Sequence, residues 1–158
     1  MNIQMMFERQ HRRVYRLAML MLHSAEDAED AVQNVFLKYV EKGPEFHDEE
    51  HENAWFITVT KNYCKDHLKS VWRRRVEYGE IPECATSEEE RNDGVVACIM
   101  KLKEKYRELI YLYYYEEYSV KEMAKILGRG ESTIQTQLSA ARKHLKKVLE
   151  QEGMADGR

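Results

Sequence analysis

Ser119-Val120-Lys121-Glu122-Met123-Ala124-Lys125-Ile126-Leu127-Gly128, followed by a second amphipathic stretch from about Ser132 to Leu149, is the segment that decides how this chain folds. Ser119 is placed to cap a first helix, Glu122 three residues on completes a capping box, and Gly128 supplies the left-handed residue that ends it. In the second stretch Ile134, Leu138, Ala141, Leu145, Val148 and Leu149 recur at helical spacing and share one buried stripe. That phase turns Gln135, Thr136, Ser139, Arg142 and Lys143 away from the core. A capped short helix, a glycine corner and a longer helix with a polar outer face form a helix-turn-helix pattern, whose outward side chains suit base edges and phosphates. From Ser132 to Lys147 there are four basic residues and no acidic one, in a chain of net charge −3. Electrostatics therefore favours DNA over a merely solvated face.

The net charge conceals a partition along the chain: residues 1–75 sum to 0, residues 76–94 to −6 and residues 95–158 to +3. The acidic middle holds Gly79, Pro82, Glu88, Glu89, Glu90, Asn92 and Asp93 with few large apolar side chains, and it reads as a linker. As flexible coil, residues 76–101 would average roughly 28 Å end to end. With only two prolines and few runs of strand-like alternation, the fold class is all-α. The expected organisation is two small helical domains joined by a flexible acidic linker: a first domain over 1–75, the linker over 76–101, the helix-turn-helix domain over 102–150, and a flexible tail over 151–158.

No apolar run is long enough to insert in a bilayer, and Met1 to Phe7 lacks the charged and apolar segments of a secretory signal, so a cytoplasmic location is expected. Cys64, Cys84 and Cys98 are an odd number, widely spaced and without a Cys-x-x-Cys pair, which argues against a disulfide framework or a zinc knuckle.

In the first half, Phe7, Val14, Leu17, Ala18 and Met21 mark one helix, and Ser24 with Asp27 starts a second. Ala28, Ala31, Val32, Val35, Phe36, Tyr39 and Val40 form the inward stripe of that second helix. Its opposite face carries Glu26, Glu29, Asp30, Gln33, Asn34 and Glu41, with Leu37 among them; one exposed leucine ringed by carboxylates and amides has the form of a docking spot. A third helix from about Asn53 to Arg75 buries Phe56, Ile57, Thr60, Tyr63, Cys64, Leu68 and Val71. Lys61, Lys65 and Lys69 line its polar side beside Asn62 and Asp66, and Arg73, Arg74 and Arg75 extend the basic face, with Trp55, Phe56 and Trp72 flanking it. Cations interleaved with aromatics suit a nucleic acid with unstacked bases.

His47 and His51 stand at i, i+4, a spacing that can hold zinc on a helix, but Phe46 to Glu52 reads as an acidic loop without a third ligand. No nucleophile–base pair, glycine-rich phosphate loop or paired carboxylates stand out. No metal, no cofactor and no catalytic site is expected.

Ser24-Ala25-Glu26-Asp27-Ala28-Glu29-Asp30-Ala31-Val32-Gln33-Asn34-Val35-Phe36, then Ala54-Trp55-Phe56 through Asn62, then Tyr106-Arg107-Glu108 and the helix-turn-helix ending in Ser139-Ala140-Ala141-Arg142 resemble, in that order, an extracytoplasmic-function sigma factor of bacterial RNA polymerase. The resemblance covers Phe7 to Arg75 and Leu102 to Leu149. It implies that Asp30, Gln33, Asn34 and Leu37 dock on core RNA polymerase. It also implies that Asn62, Lys65 and Asp66 read the melted minus-ten element of promoter DNA, with Lys61, Lys69 and Arg73 on the backbone. Ser132, Thr133, Gln135, Thr136, Ser139, Arg142 and Lys143 would read the minus-thirty-five element as duplex, and an anti-sigma factor would be a further partner. Arg129 stands at a turn position usually apolar in that family, Gly130 where a serine cap is typical, and Gln135, Gln137 and Ala140 where basic residues are frequent. The rival from another class is a conventional helix-turn-helix regulator with an N-terminal sensor or dimerisation domain; a metal-dependent hydrolase using His47 and His51 is a third.

Overall fold

The structure, a computed structural model, describes residues 2–77 and 94–152, with side chains described for 2–71 and 97–152. Among these residues all regular elements are helical: α1 Ile3–Leu22, α2 Ala25–Lys42, α3 Glu49–Glu77, α4 Gly94–Met100, α5 Glu104–Ile110, a π-helical turn Tyr111–Tyr115, α6 Val120–Leu127 and α7 Glu131–Gln151. The chain divides into two compact units, Met1–Thr86 and Ser87–Arg158. The reach of the acidic segment, Cys84, the side chain of Arg73 and the end of the tail, residues 153–158, lie outside the described residues. No described helix is long and apolar enough to cross a membrane.

The first unit is three mutually packed helices whose ends are set by local chemistry. The Asn2 side chain accepts from Met5 N at 3.1 Å, and Ser24 Oγ accepts from Asp27 N at 3.1 Å. Gly43, at φ 54°, closes α2 with its N–H on the Tyr39 carbonyl, and Pro44 then prevents continuation. The expected acidic loop from Phe46 to Glu52 is shorter than its composition suggests, because α3 already begins at Glu49. Asp48 Oδ1 accepts from His51 N at 2.8 Å, and Glu49, Glu50 and Glu52 occupy the positive N-terminal end of the helix, where carboxylates are favoured.

Tyr39 and Phe56 are buried at the centre, their rings 5.6 Å apart, with Phe36 5.2 Å from Phe56 and Trp55 6.0 Å from Tyr39. Burying one such ring contributes roughly 1.5–3 kcal/mol. Trp55 and Phe46 pack against this cluster and Phe56 is wholly buried. Phe56 is therefore a core residue and not part of the stacking surface expected beside the basic face, while Trp55 is half-buried against the same core.

Glu52 lies in this interior. Its carboxylate receives Arg9 Nη2 at 2.9 Å, Arg9 Nε at 3.1 Å and Gln10 Nε2 at 2.6 Å, and the neighbouring Asn53 Oδ1 receives Gln10 Nε2 at 2.8 Å and Arg13 Nη1 at 2.9 Å. Burial alone would raise the Glu52 pKa, but the hydrogen bonds from Arg9 and Gln10 outweigh it and hold the carboxyl below its ordinary value. The polar network thus pins the start of α3 to the middle of α1.

In the second unit, residues 94–100, expected as the end of a flexible linker, instead form α4. The reason is the run Val95-Val96-Ala97-Cys98-Ile99-Met100, whose last three residues are buried in a helix packed on α5 and α7. Burial pushes the Cys98 thiol up, keeping it protonated. Leu109, Ile110, Tyr111, Leu112, Met123, Ile134, Leu138 and Ala141 complete this core. The capping box of α6 is formed in both directions, Glu122 N to Ser119 Oγ at 3.1 Å and Ser119 N to Glu122 Oε1 at 2.8 Å, and Gly128 ends the helix at φ 67°.

Removing the Glu52 carboxylate strands its donors, so Glu52→Ala is expected to destabilise the first unit by on the order of 1–3 kcal/mol, read as a lower unfolding midpoint in urea. Because the folded pKa is lowered, this contribution is complete above the ordinary glutamate range and is lost as pH falls through the folded value. Glu52→Gln should therefore blunt the acid side of the stability profile.

Candidate nucleic-acid and docking surfaces

Helix α2 presents its acidic and amide face as expected. Glu26, Glu29, Asp30, Gln33, Asn34 and Glu41 are exposed, and Leu37 is the most exposed large apolar residue described, at 61%. Asn34 Nδ2 donates to the Asp30 carbonyl at 2.8 Å, which fixes the amide along the helix. Leu37 also borders a groove of about 660 Å³ between α1 and α2, with Phe7, Val32, Phe36 and Val40 as its apolar walls and Gln33 and Glu29 on its rim. Phe7, part of the apolar repeat that marks α1, and Val40, assigned to the inward stripe of α2, are 40% and 50% exposed. Phe7 lies one turn from the start of α1, stacked on His11 at 4.7 Å and tilted on Phe36 at 5.0 Å. The leucine that stands alone in the sequence pattern thus lies beside a groove that only the fold supplies.

On α3, Asn62, Asp66 and Lys69 are exposed and Lys65 is half-buried. Lys61 is a correction: it is buried, at 9%, and does not belong to the outward basic stripe. The cause is helical drift. Each i to i+4 step on a helix of 3.6 residues per turn advances the side chain by about 40°. The series Ile57, Lys61, Lys65, Lys69 therefore rotates from the core through its margin to the surface. His47 and His51 lie side by side, rings 5.0 Å apart with His47 N donating to His51 Nδ1 at 3.1 Å, so His51 is engaged in organising the start of α3 and the segment is not merely a solvated loop. Among the described residues no three His, Cys, Asp or Glu side chains gather as a metal site.

Helix α7 follows Gly130, which caps without a side chain, and it exposes Ser132, Thr133, Gln135, Thr136, Ser139, Arg142 and Lys143. Two features were not legible in the sequence. Arg129, in the turn, donates through Nη2 to Glu108 Oε1 of α5 at 2.5 Å and through Nη1 to Gln137 Oε1 of α7 at 2.8 Å. Glu108 is 1% exposed, so an arginine at this turn serves a carboxylate buried beneath it and ties α5, the turn and α7 together. The second feature is that Arg142 is not a free arm: its guanidinium lies 4.6 Å from the Tyr113 ring, and Nε donates to Tyr114 Oη at 3.1 Å.

A three-helix unit with a polar-basic helix and an apolar groove, followed by a unit carrying a helix-turn-helix, has the architecture of a two-part DNA-binding protein. Family models described as sigma-70 region 2 and sigma-70 region 4 match residues 6–74 and 93–145 respectively. The sigma factor SigM of Mycobacterium tuberculosis is 27% identical over 151 residues, covering 91% of this chain and 75% of that protein. SigW of Bacillus subtilis is 25% identical over 155 residues, covering 87% and 83%. In fold, the chain is similar to the sigma factor RpoE of Bartonella quintana, solved in complex with the anti-sigma factor NepR, with a TM-score of 0.77 over 93% of this chain and 96% of that one at 20% identity. The chain belongs to the sigma-70 family, as an RNA polymerase sigma factor of the extracytoplasmic-function class. It is a transcription initiation factor and not an enzyme.

Arg129→Ala leaves Glu108 buried without this donor and is expected to lower the stability of the second unit by on the order of 1–3 kcal/mol, measured by thermal unfolding. Arg129→Lys should restore little of it, since one ammonium cannot span both acceptors as the guanidinium fork does.

Proposed function

We propose that the three surfaces divide the work of promoter-directed initiation. The α2 face of Leu37, Gln33, Asp30 and Asn34, with the groove beside it, docks on core RNA polymerase. Asn62, Lys65 and Asp66 of α3 meet bases and backbone of the melted minus-ten strand, with Lys69 and Arg73 on phosphates. Ser132, Thr133, Gln135, Thr136, Ser139, Arg142 and Lys143 engage the minus-thirty-five duplex. The observation that carries this reading is Leu37, standing 61% exposed beside an apolar groove on a helix whose other face is core. An exposed apolar side chain ringed by polar groups is the usual form of a binding hot spot. An anti-sigma factor is a further partner, a reading supported by the bound state of the Bartonella quintana neighbour. The cytoplasm is the compartment where polymerase and promoter are met, and the buried thiols of Cys64 and Cys98, outside any disulfide, suit it. The reading is tested by run-off transcription from a genomic promoter pool, comparing core polymerase with and without the protein.

Leu37→Ala is expected to weaken core-polymerase binding by about 1–3 kcal/mol, a few-fold to a hundredfold, with little change in thermal stability because the side chain is exposed. Unaltered affinity in a titration would remove this face from the interface. On α3, Lys69→Ala should weaken binding to every promoter and reduce the salt slope by about one unit, whereas Asn62→Ala should change base preference in the downstream element. Promoter opening indifferent to both changes, followed with a fluorescent base analogue, would reject the assignment.

A further inference from the structure

Arg142 and the tyrosines beside it form a more built arrangement than a lone cation on a recognition helix needs. The chain after α5 reads Tyr111-Leu112-Tyr113-Tyr114-Tyr115 and takes the π-helical form, with Glu116 N donating to the Tyr111 carbonyl at 3.2 Å. Tyr111 and Leu112 are buried, and the Tyr111 hydroxyl donates to Glu116 Oε2 at 2.5 Å, which anchors the turn. A π-helical turn holds more residues than an α-helical one, so successive side chains diverge by a smaller angle. Both Tyr113 and Tyr114, sequence neighbours with rings 4.9 Å apart and nearly perpendicular, consequently reach the same guanidinium. Single π-turns of this kind are frequent at functional sites.

We propose that Tyr114 and Arg142 together make a binding site for one phosphate of the DNA backbone, with Tyr113 as the flat support beneath the guanidinium. This rests on the reading that α7 lies against duplex DNA. The Tyr114 hydroxyl has one proton to donate and lone pairs to accept with. By accepting from Arg142 Nε it spends a lone pair and keeps its proton for an anion. Tyr114 is 52% exposed, so that proton faces a surface a ligand can reach. The remaining donors of the guanidinium fork and the phenolic O–H can then serve the oxygens of one phosphodiester. Stacking on Tyr113 and the bond to Tyr114 orient the arginine before DNA arrives, so less side-chain freedom is lost on binding. A duplex phosphate, not a protein carboxylate, is the matching anion, because Lys143 and Lys146 follow on the same helix and residues 132–147 contain no acid.

The test is equilibrium binding of the holoenzyme, core polymerase with the full chain, to duplex carrying only the upstream element, across a range of salt. Tyr114→Phe keeps the ring and removes the hydroxyl; it is expected to weaken binding several-fold at every sequence, with base preference and salt slope unchanged, since a neutral donor releases no counterion. Arg142→Ala should weaken binding and flatten the slope by about one unit. The double variant should be within twofold of Arg142→Ala alone, because the hydroxyl acts only in company with the guanidinium. Arg142→Lys, which retains charge without the fork, should lose affinity at an unchanged slope and provides a second arm if Tyr114→Phe folds poorly. Binding by Tyr114→Phe equal to the parent while Arg142→Ala is weakened would overturn the paired site and leave α7 on DNA. If neither Arg142→Ala nor Lys143→Ala alters binding, the placement of α7 on the duplex falls, and the site with it.

Discussion

The buried carboxylate of Glu52 is the interaction on which the first unit depends. A glutamate taken out of water must be neutralised by partners already in place, and Arg9 and Gln10 of α1 are the partners. The requirement fixes both the axial position and the rotation of α3 against α1. With Glu52 facing inward, Phe56, Thr60 and Cys64 follow on the same side and are buried in turn. Asn62, Asp66 and Lys69 are carried to the opposite side. The polar face of α3 is thus set a full helical turn or more before its first residue, by a group on the buried side of the same helix.

The second unit uses the same device in a different place. Arg129 brings α5, the turn and α7 to one point over Glu108, while the capping box at Ser119 and the left-handed Gly128 define where the short helix begins and ends. Neither unit has a large core, and small domains bury a modest fraction of their surface. Buried, fully directed polar contacts then specify the geometry that a larger apolar core would otherwise impose.

What was readable in the sequence follows from the range of each interaction. Caps act over three residues, so Ser119 with Glu122, Ser24 with Asp27, and Gly128 could be assigned from spacing, and all are formed. Periodicity placed Leu37 outward and Ile134, Leu138 and Ala141 inward. It failed where a residue lies at the margin of a stripe: Lys61 is one i+4 step beyond Ile57 and still within the core's edge, while Phe7 and Val40 line an open groove. Contacts between distant positions, Arg9 with Glu52 or Arg129 with Glu108, leave no local signature, and a charged residue in a polar stretch was read as solvated. The apolar run of α4 was absorbed into the acidic segment preceding it. Family resemblance supplied the roles of the polar faces, which spacing alone left open between nucleic acid and water.

Arg129 also constrains how this protein can change over evolutionary time. Glu108, Arg129 and Gln137 are separated in sequence but share two hydrogen bonds around one guanidinium. A lineage that replaces the arginine first removes a charged donor from a carboxylate in the core of this unit; one that replaces Gln137 with a second cation crowds two positive charges onto one acid. A graft of α7 alone into another sigma factor would arrive without the acid and the turn arginine that hold it here.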